Sequence, residues 1–170
     1  MLIGHLGRGR YRCFAAMQWE VTKINSFLSW IGGKKSSRDI IVPRFPMFYE
    51  KYIEVFGGGG GILFAKPPGN DHEVFNDANS NISNLFYCVR EHSSELIEKL
   101  RYVLNCREDF DRIKHIISQK AEIGDVQRAA NFYQLIRYSY ASSCDSFGGK
   151  PHSGVIFRLL NRLRGDCKKL

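Results

Sequence analysis

Five consecutive glycines, residues 57–61, follow the short run "YIEVF" at 52–56. An acid, Asp77, lies about twenty residues beyond the first of them, the separation at which a strand-end acid meets a nucleoside. Glycine has no Cβ, so such a run lets backbone pass very close to a neighbouring group. An acid at the end of a strand accepts hydrogen bonds from ribose hydroxyls. Strand, glycine turn and acid together have the chemistry needed to hold a nucleoside. The competing reading is an idle linker, which makes no demand on its surroundings.

Two phosphate-binding patterns fail on this sequence. A G-x-x-x-x-G-K-[ST] loop ending at Gly33-Lys34 needs a glycine where Leu28 stands and a hydroxyl residue where Lys35 stands. The dinucleotide pattern G-x-G-x-x-G, begun at Gly57 or Gly58, meets Ile62 or Leu63 at its last position. A nucleotide-dependent oxidoreductase is therefore disfavoured. A nucleoside cofactor without a phosphate cradle fits better, and S-adenosylmethionine is the common example.

The elements that must position these residues read as an α/β arrangement. "KYIEVF", residues 51–56, is short, β-branched and aromatic, and predicts a buried strand. "GGILFAK" at 60–66 predicts a short helix, and Pro67, Pro68, Gly69 and Asn70 predict a turn. "HEVFND" at 72–77 predicts a second strand ending in Asn76 and Asp77. Earlier, "SSRDIIVPRF" predicts a short helix capped by Ser36 or Ser37 and ending before Pro43. The 3–4-residue apolar spacing over 79–104 predicts one helix or a broken pair. Further helices are expected at "REDFDRIKHIISQK", "DVQRAANFYQLIRYSYA" and "VIFRLLNRLRG", with a Ser/Gly/Pro loop at 142–154 before the last. The order corresponds to the start of an open, Rossmann-like sheet followed by a mostly helical region. Three parts are expected: an irregular basic tail at 1–16, an α/β portion at 17–105, and a helical region at 106–170.

Composition narrows the class. The 170 residues are 44% hydrophobic and 25% charged, values of a globular protein rather than a disordered one. Five scattered cysteines without a C-x-x-C pair speak against a disulfide framework or zinc site, and the histidines are equally dispersed, so metal binding has little support. No apolar run is long enough to span a bilayer and the start makes a poor signal peptide, so a cytoplasmic protein is expected. The net charge of +8 suits a polyanion such as DNA. Arg8, Arg10, Arg12, Lys168 and Lys169 lie near the ends of the chain; Arg128, Arg137, Arg158, Arg162 and Arg164 fall in the helical part and suit phosphate contacts as a group. Tyr138, Tyr140 and Phe147 flank the Ser/Gly loop, where core packing is the safer reading than a base-step contact.

Three segments together carry a family resemblance. "SFLSWIGGKKS" resembles the F-L-x-W-x-G-G-K motif of the Dam-type DNA adenine methyltransferases, "YIEVFGGGGG" looks like their Y-x-E-P-F-x-G-G-G motif, and "VFNDANSNISNLFYCVRE" looks like their N-D-x-N-x-x-L-x-N-x-Y segment. Order and spacing agree from Phe27 to about Arg90, and a weaker likeness runs on to about Arg164. The resemblance implies methyl transfer from S-adenosylmethionine to the amino group of adenine in duplex DNA. It also implies cofactor contacts at Trp30, Lys34, Glu54, Phe56, Gly57, Gly58, Gly59 and Asp77. Val55 departs from the family's proline.

The D-P-P-Y segment that grips the target base in this family has no counterpart here. "AKPPGN" lacks the acid and the aromatic residue and precedes Asp77. No catalytic residue is assigned for that reason. The chain resembles the front portion of a longer methyltransferase, and without the grip nothing offsets the few kcal/mol needed to extract a base from duplex DNA. The alternative is an inactive DNA- or cofactor-binding remnant. A partial sheet is also expected to expose an unpaired edge and to have marginal stability. The DNA sequence read, the oligomeric state and the biological setting (restriction partner, phage enzyme or orphan) are open at this stage.

Overall fold

In a computed structural model of the chain, the structure describes residues 25–34, 36–69, 71–119 and 122–148. The predicted basic tail, the predicted last helix and residues Arg158, Arg162 and Arg164 lie outside them.

Two strands form a parallel pair: β1, Lys51–Glu54, and β2, His72–Phe75, with Tyr52 opposite Glu73 and Glu54 opposite Phe75. Among the described residues the sheet has these two strands alone, so each keeps an unpaired edge. β1 is shorter and more exposed than its sequence predicts. Only Glu54 is buried within it, and Ile53 is exposed because no layer of the described residues covers its face. Val55 and Phe56 lie beyond its end. β2 stops one residue before Asn76, which leaves Asn76 and Asp77 at the strand end as their polarity suggests.

Parallel strands need a crossover, usually a helix. Here residues 60–66 form consecutive turns instead of the expected helix. Phe64 N–H bonds to the Gly60 carbonyl and Lys66 N–H to that of Ile62, but Leu63 N–H goes to the Glu54 carboxylate at 3.2 Å. The stretch between the glycines and Pro67-Pro68 is too short to offset helix nucleation. A side chain capturing one of its donors removes what little remained.

The helices are α1 (Arg38–Ile41), α2 (Ser80–Glu91), α3 (Ser93–Leu100), α4 (Arg107–Ser118) and α5 (Asp125–Tyr138). Ser37 stands at the N-cap of α1 without a side-chain bond, and Pro43 sits in a 3-10 turn, Val42–Arg44, that continues the helix. Residues 79–104 form a helix pair that breaks at His92, where the backbone leaves the helical region. Asn79 caps α2 by accepting from Asn81 N–H at 3.1 Å.

The core is built on α5. Ala129, Ala130, Phe132, Tyr133 and Ile136 pack against Ile82, Leu85, Cys88, Leu96 and Leu100 of α2 and α3. Leu28 belongs to the same cluster, and Phe27, Trp30, Phe75 and Phe86 rest on it. The segments around the glycine run thus share one core with the helices. A second cluster, Phe110, Ile113, Leu135 and Tyr138, seats α4 on the other side of α5. Tyr138 is therefore a core residue, whereas Tyr140 stays 66% exposed. No helix among the described residues is long and apolar enough to cross a membrane.

Candidate functional site

The glycine run is neither a linker nor an open loop. Its first four residues are buried, and the chain enters it clamped to the end of β2. Gly57 N–H bonds to the Asn76 carbonyl at 2.9 Å. Gly58 N–H bonds to Asp77 Oδ2 at 2.8 Å, and Asp77 Oδ1 accepts from Asn79 N–H at 2.9 Å. One carboxylate therefore ties the glycine turn to the start of α2. Asn79 is the cap of α2, and Asp77 supports the start of the helix by accepting from the Asn79 N–H.

Side chains crowd this backbone from both sides. A Cβ on Gly57 would lie 2.2 Å from the Phe75 ring, and one on Gly58 would lie 2.9 Å from Cδ1 of Trp30. Gly58 also has φ +51°, a conformation that L-residues with side chains rarely adopt. Trp30 reaches in from the segment before α1, held on its far side by Phe132 of α5 at 5.9 Å between ring centres. Ser26 fixes that segment: its Oγ donates to the Gly59 carbonyl and accepts from Leu28 N–H. Beneath the turn, Phe75 stacks on Phe86 at 4.2 Å, and Phe27 closes against Phe86 at 5.2 Å.

Lys34, Glu54 and Phe56 form a separate group at the end of β1. Lys34 Nζ donates to the Phe56 carbonyl at 2.7 Å and stands 3.7 Å from Glu54 Oε1. Glu54 is 6% exposed; its Oε2 accepts from the Tyr52 hydroxyl and from Leu63 N–H, while Oε1 has no hydrogen-bond partner among the described residues. The Phe56 ring is 73% exposed and only its carbonyl takes part. The predicted site residues therefore fall into two groups joined through the turn: Trp30, Gly57, Gly58, Gly59 and Asp77, and Lys34, Glu54 and Phe56.

A cleft of about 210 Å³ opens beside the turn, lined among others by Trp30, Gly33, Gly59, Gly61, Arg38 and Arg137. Asp77 does not line it and meets the turn through Gly58. Among the described residues no group of three His, Cys, Asp or Glu side chains is placed to hold a metal.

Residues 30–157 match the model of the D12 class N6 adenine-specific DNA methyltransferases. The chain belongs to this family. The match begins at Trp30 and contains the glycine turn, Asp77 and α2 to α5. The chain is also similar to the Type II methyltransferase M1.LlaDCHI of Lactococcus lactis subsp. cremoris, at 28% identity over 133 residues. That alignment covers 73% of this chain and 44% of the relative, so the chain spans less than half of the relative's length.

Several supporting residues are not among those that the sequence singles out. Ser26 and Phe75 shape the turn, but a serine before an aromatic run and a phenylalanine in a strand carry no signal of that role. Lys66 was legible in principle. It lies on one side of the Pro-Pro-Gly turn and Asp71 on the other, and the turn brings them to 3.0 Å, with Glu73 Oε1 also in contact at 2.6 Å. The Lys66 and Asp71 side chains are 2% and 4% exposed, and the ammonium lies 5.5 Å from the Tyr52 ring centre. This buried pair fixes where the crossover returns into β2.

The network makes stability fall at high pH. Burial, and then the hydrogen bond to the Glu54 carboxylate, push the Tyr52 phenol far above its usual range. Burial alone lowers the Lys66 ammonium, but Glu73 and Asp71 outweigh it and raise the group. The unfolded chain gives up both protons first, from about pH 10, so the native state binds more protons there and loses stability as pH rises. Urea unfolding is expected to show a stability that declines above about pH 10 and declines less steeply in Tyr52→Phe. An identical slope in that variant would exclude Tyr52 as a source.

Proposed function

We propose that this chain provides the methyl-donor site of a site-specific DNA adenine methyltransferase, binding S-adenosylmethionine for transfer to the adenine amino group in duplex DNA. The observation that carries the reading is the meeting of Trp30 and Asp77 at Gly58, in the turn between two parallel strands. Asp77 keeps acceptor capacity on each oxygen beyond the bonds to Gly58 and Asn79, which suits ribose hydroxyls. The half-buried indole of Trp30 offers a flat apolar surface beside backbone that carries no Cβ. Lys34, an ammonium with three donors of which the Phe56 carbonyl takes one, has donors left for an anionic group. Bound there, the donor supplies an electrophilic methyl group on a sulfonium. The chain's own residues bind and orient; most of the rate in such a transfer comes from positioning.

Duplex DNA is the proposed partner, in the cytoplasm, with the helical half supplying phosphate contacts through its arginines. Arg128 is engaged with Asp125 at 3.0 Å, which leaves Arg137 as the freer of these two arginines of α5.

The 170 residues contain no D-P-P-Y segment, so for these residues by themselves a second reading is a cofactor- or DNA-binding unit without transfer activity. A base drawn from the duplex would meet no grip to offset its unstacking. The chain by itself is therefore expected to bind S-adenosylmethionine without methylating adenine. Calorimetry with S-adenosylmethionine and a tritiated-methyl transfer assay on adenine-containing duplexes test this together. Binding without transfer is the expected result. Steady turnover would refute the second reading, and absence of binding would refute the first.

A further inference from the structure

We infer that the cleft between Trp30 and α5 is an oxyanion site, in which Arg38 and Arg137 bind a phosphate or carboxylate group. Four observations carry this.

The cleft is lined by two arginines from distant parts of the chain, one on α1 and one near the C-terminal end of α5, and no Asp or Glu lines it. Arg137 Nε is buried without a hydrogen-bond partner, and no ion pair of Arg137 is found among the described residues. Arg137 as a whole is half-buried, and a buried guanidinium N–H without an acceptor costs free energy that an entering oxyanion would recover. Arg38 is only partly satisfied: Nη1 donates to Asn25 Oδ1 at 2.8 Å, and Nε stands 3.5 Å from Asp39, whose own side chain is largely exposed. Its remaining donors are unused by any described residue. Finally, the volume of about 210 Å³ falls below the roughly 300–1,000 Å³ of sites that enclose whole small molecules. It suits a single charged group rather than an entire ligand. Planar guanidinium forks bind phosphate and carboxylate with paired, charge-assisted bonds.

The inference shares Arg137 with the proposed DNA contacts but uses neither Asp77 nor Lys34, so it stands whether or not the methyl donor binds. It adds a site that the donor's carboxylate, a DNA phosphate or free phosphate could each fill, and the experiment separates these sources.

Phosphorus NMR titration of the 170-residue chain with inorganic phosphate, at constant ionic strength with chloride as the exchanged ion, is expected to give saturable one-site binding. Arg137→Gln and Arg38→Gln are each expected to weaken it about tenfold or more. Lys99→Gln, at an exposed lysine of α3 outside the cleft, is expected to leave it unchanged. Circular dichroism checks that each variant folds; should Arg137→Gln fail to fold, Arg38→Gln decides the matter alone. Displacement of phosphate by S-adenosylmethionine assigns the site to the donor's carboxylate. Displacement by a short duplex assigns it to a backbone phosphate, and displacement by neither leaves free phosphate as the ligand. Each of these supports an oxyanion site. No saturable phosphate binding, or equal weakening in Lys99→Gln, overturns it. Absent S-adenosylmethionine binding with phosphate binding intact rejects the proposed function and leaves the cleft standing.

Discussion

Replacing Asp77 by alanine is expected to abolish measurable S-adenosylmethionine binding and to loosen the glycine turn. The carboxylate accepts from Gly58 N–H and Asn79 N–H, so its removal leaves two backbone donors without their partner at the joint between the turn and α2. Hydrogen bonds to a charged acceptor contribute about 1.5–3 kcal/mol each. The lost ribose acceptor adds to the effect on binding, and affinity should fall at least about a hundredfold. Asp77→Asn separates the two roles. The amide oxygen still accepts one of the backbone bonds, so stability should recover by more than half while binding stays weak. Calorimetry and urea unfolding on the three proteins check this. Wild-type affinity in Asp77→Ala would remove Asp77 from the site.

Gly57→Ala is expected to destabilise the fold by about 3 kcal/mol, the upper end for forcing one extra methyl into a packed site. The new Cβ would stand 2.2 Å from Cε2 of Phe75. That ring is not free to retreat, because it is stacked on Phe86, which is itself closed off by Phe27. Gly57 also donates to the Asn76 carbonyl, so moving the backbone breaks the clamp at the end of β2. The smaller and more flexible ring-free side chain in Phe75→Leu should relieve the clash. The double variant Gly57→Ala/Phe75→Leu is therefore expected to be less destabilised than the sum of the two single changes, by about 1 kcal/mol or more. Strict additivity in urea unfolding would show that the two residues do not meet.

Much of the site was legible because its chemistry is local. A glycine run read alone fits a linker as well as a close approach, and it is the acid about twenty residues on, just past the next strand, that favours the second. The strand read over 72–77 ends two residues earlier, at Phe75, and the polar pair Asn76-Asp77 lies just past that end. Trp30 was legible only as part of a pattern, since nothing local to an aromatic residue says that it will lie against Gly58 rather than in the core. In the structure it does both, touching the turn on one side and Phe132 on the other.

The misreadings have a common cause. "ILFA" carries helix-compatible residues, but whether residues 60–66 become helical depends on Glu54, whose carboxylate takes the Leu63 N–H. That contact links residues of the strand and the loop and leaves no trace in periodicity. The exposure of β1 is likewise a tertiary fact, because β-branched residues read the same with or without a covering layer. Arg38 and Arg137 look like ordinary surface charges in sequence; only their convergence on one cleft distinguishes them.

The most direct measurement of the central claim is an amide NMR titration of the isotope-labelled chain with S-adenosylmethionine. The amide signals of Gly57, Gly58 and Asn79 and the indole N–H of Trp30 should shift together and saturate with one dissociation constant. If the ligand leaves these four signals unmoved, or moves them with unrelated affinities, Trp30, the glycine turn and Asp77 do not form one donor site.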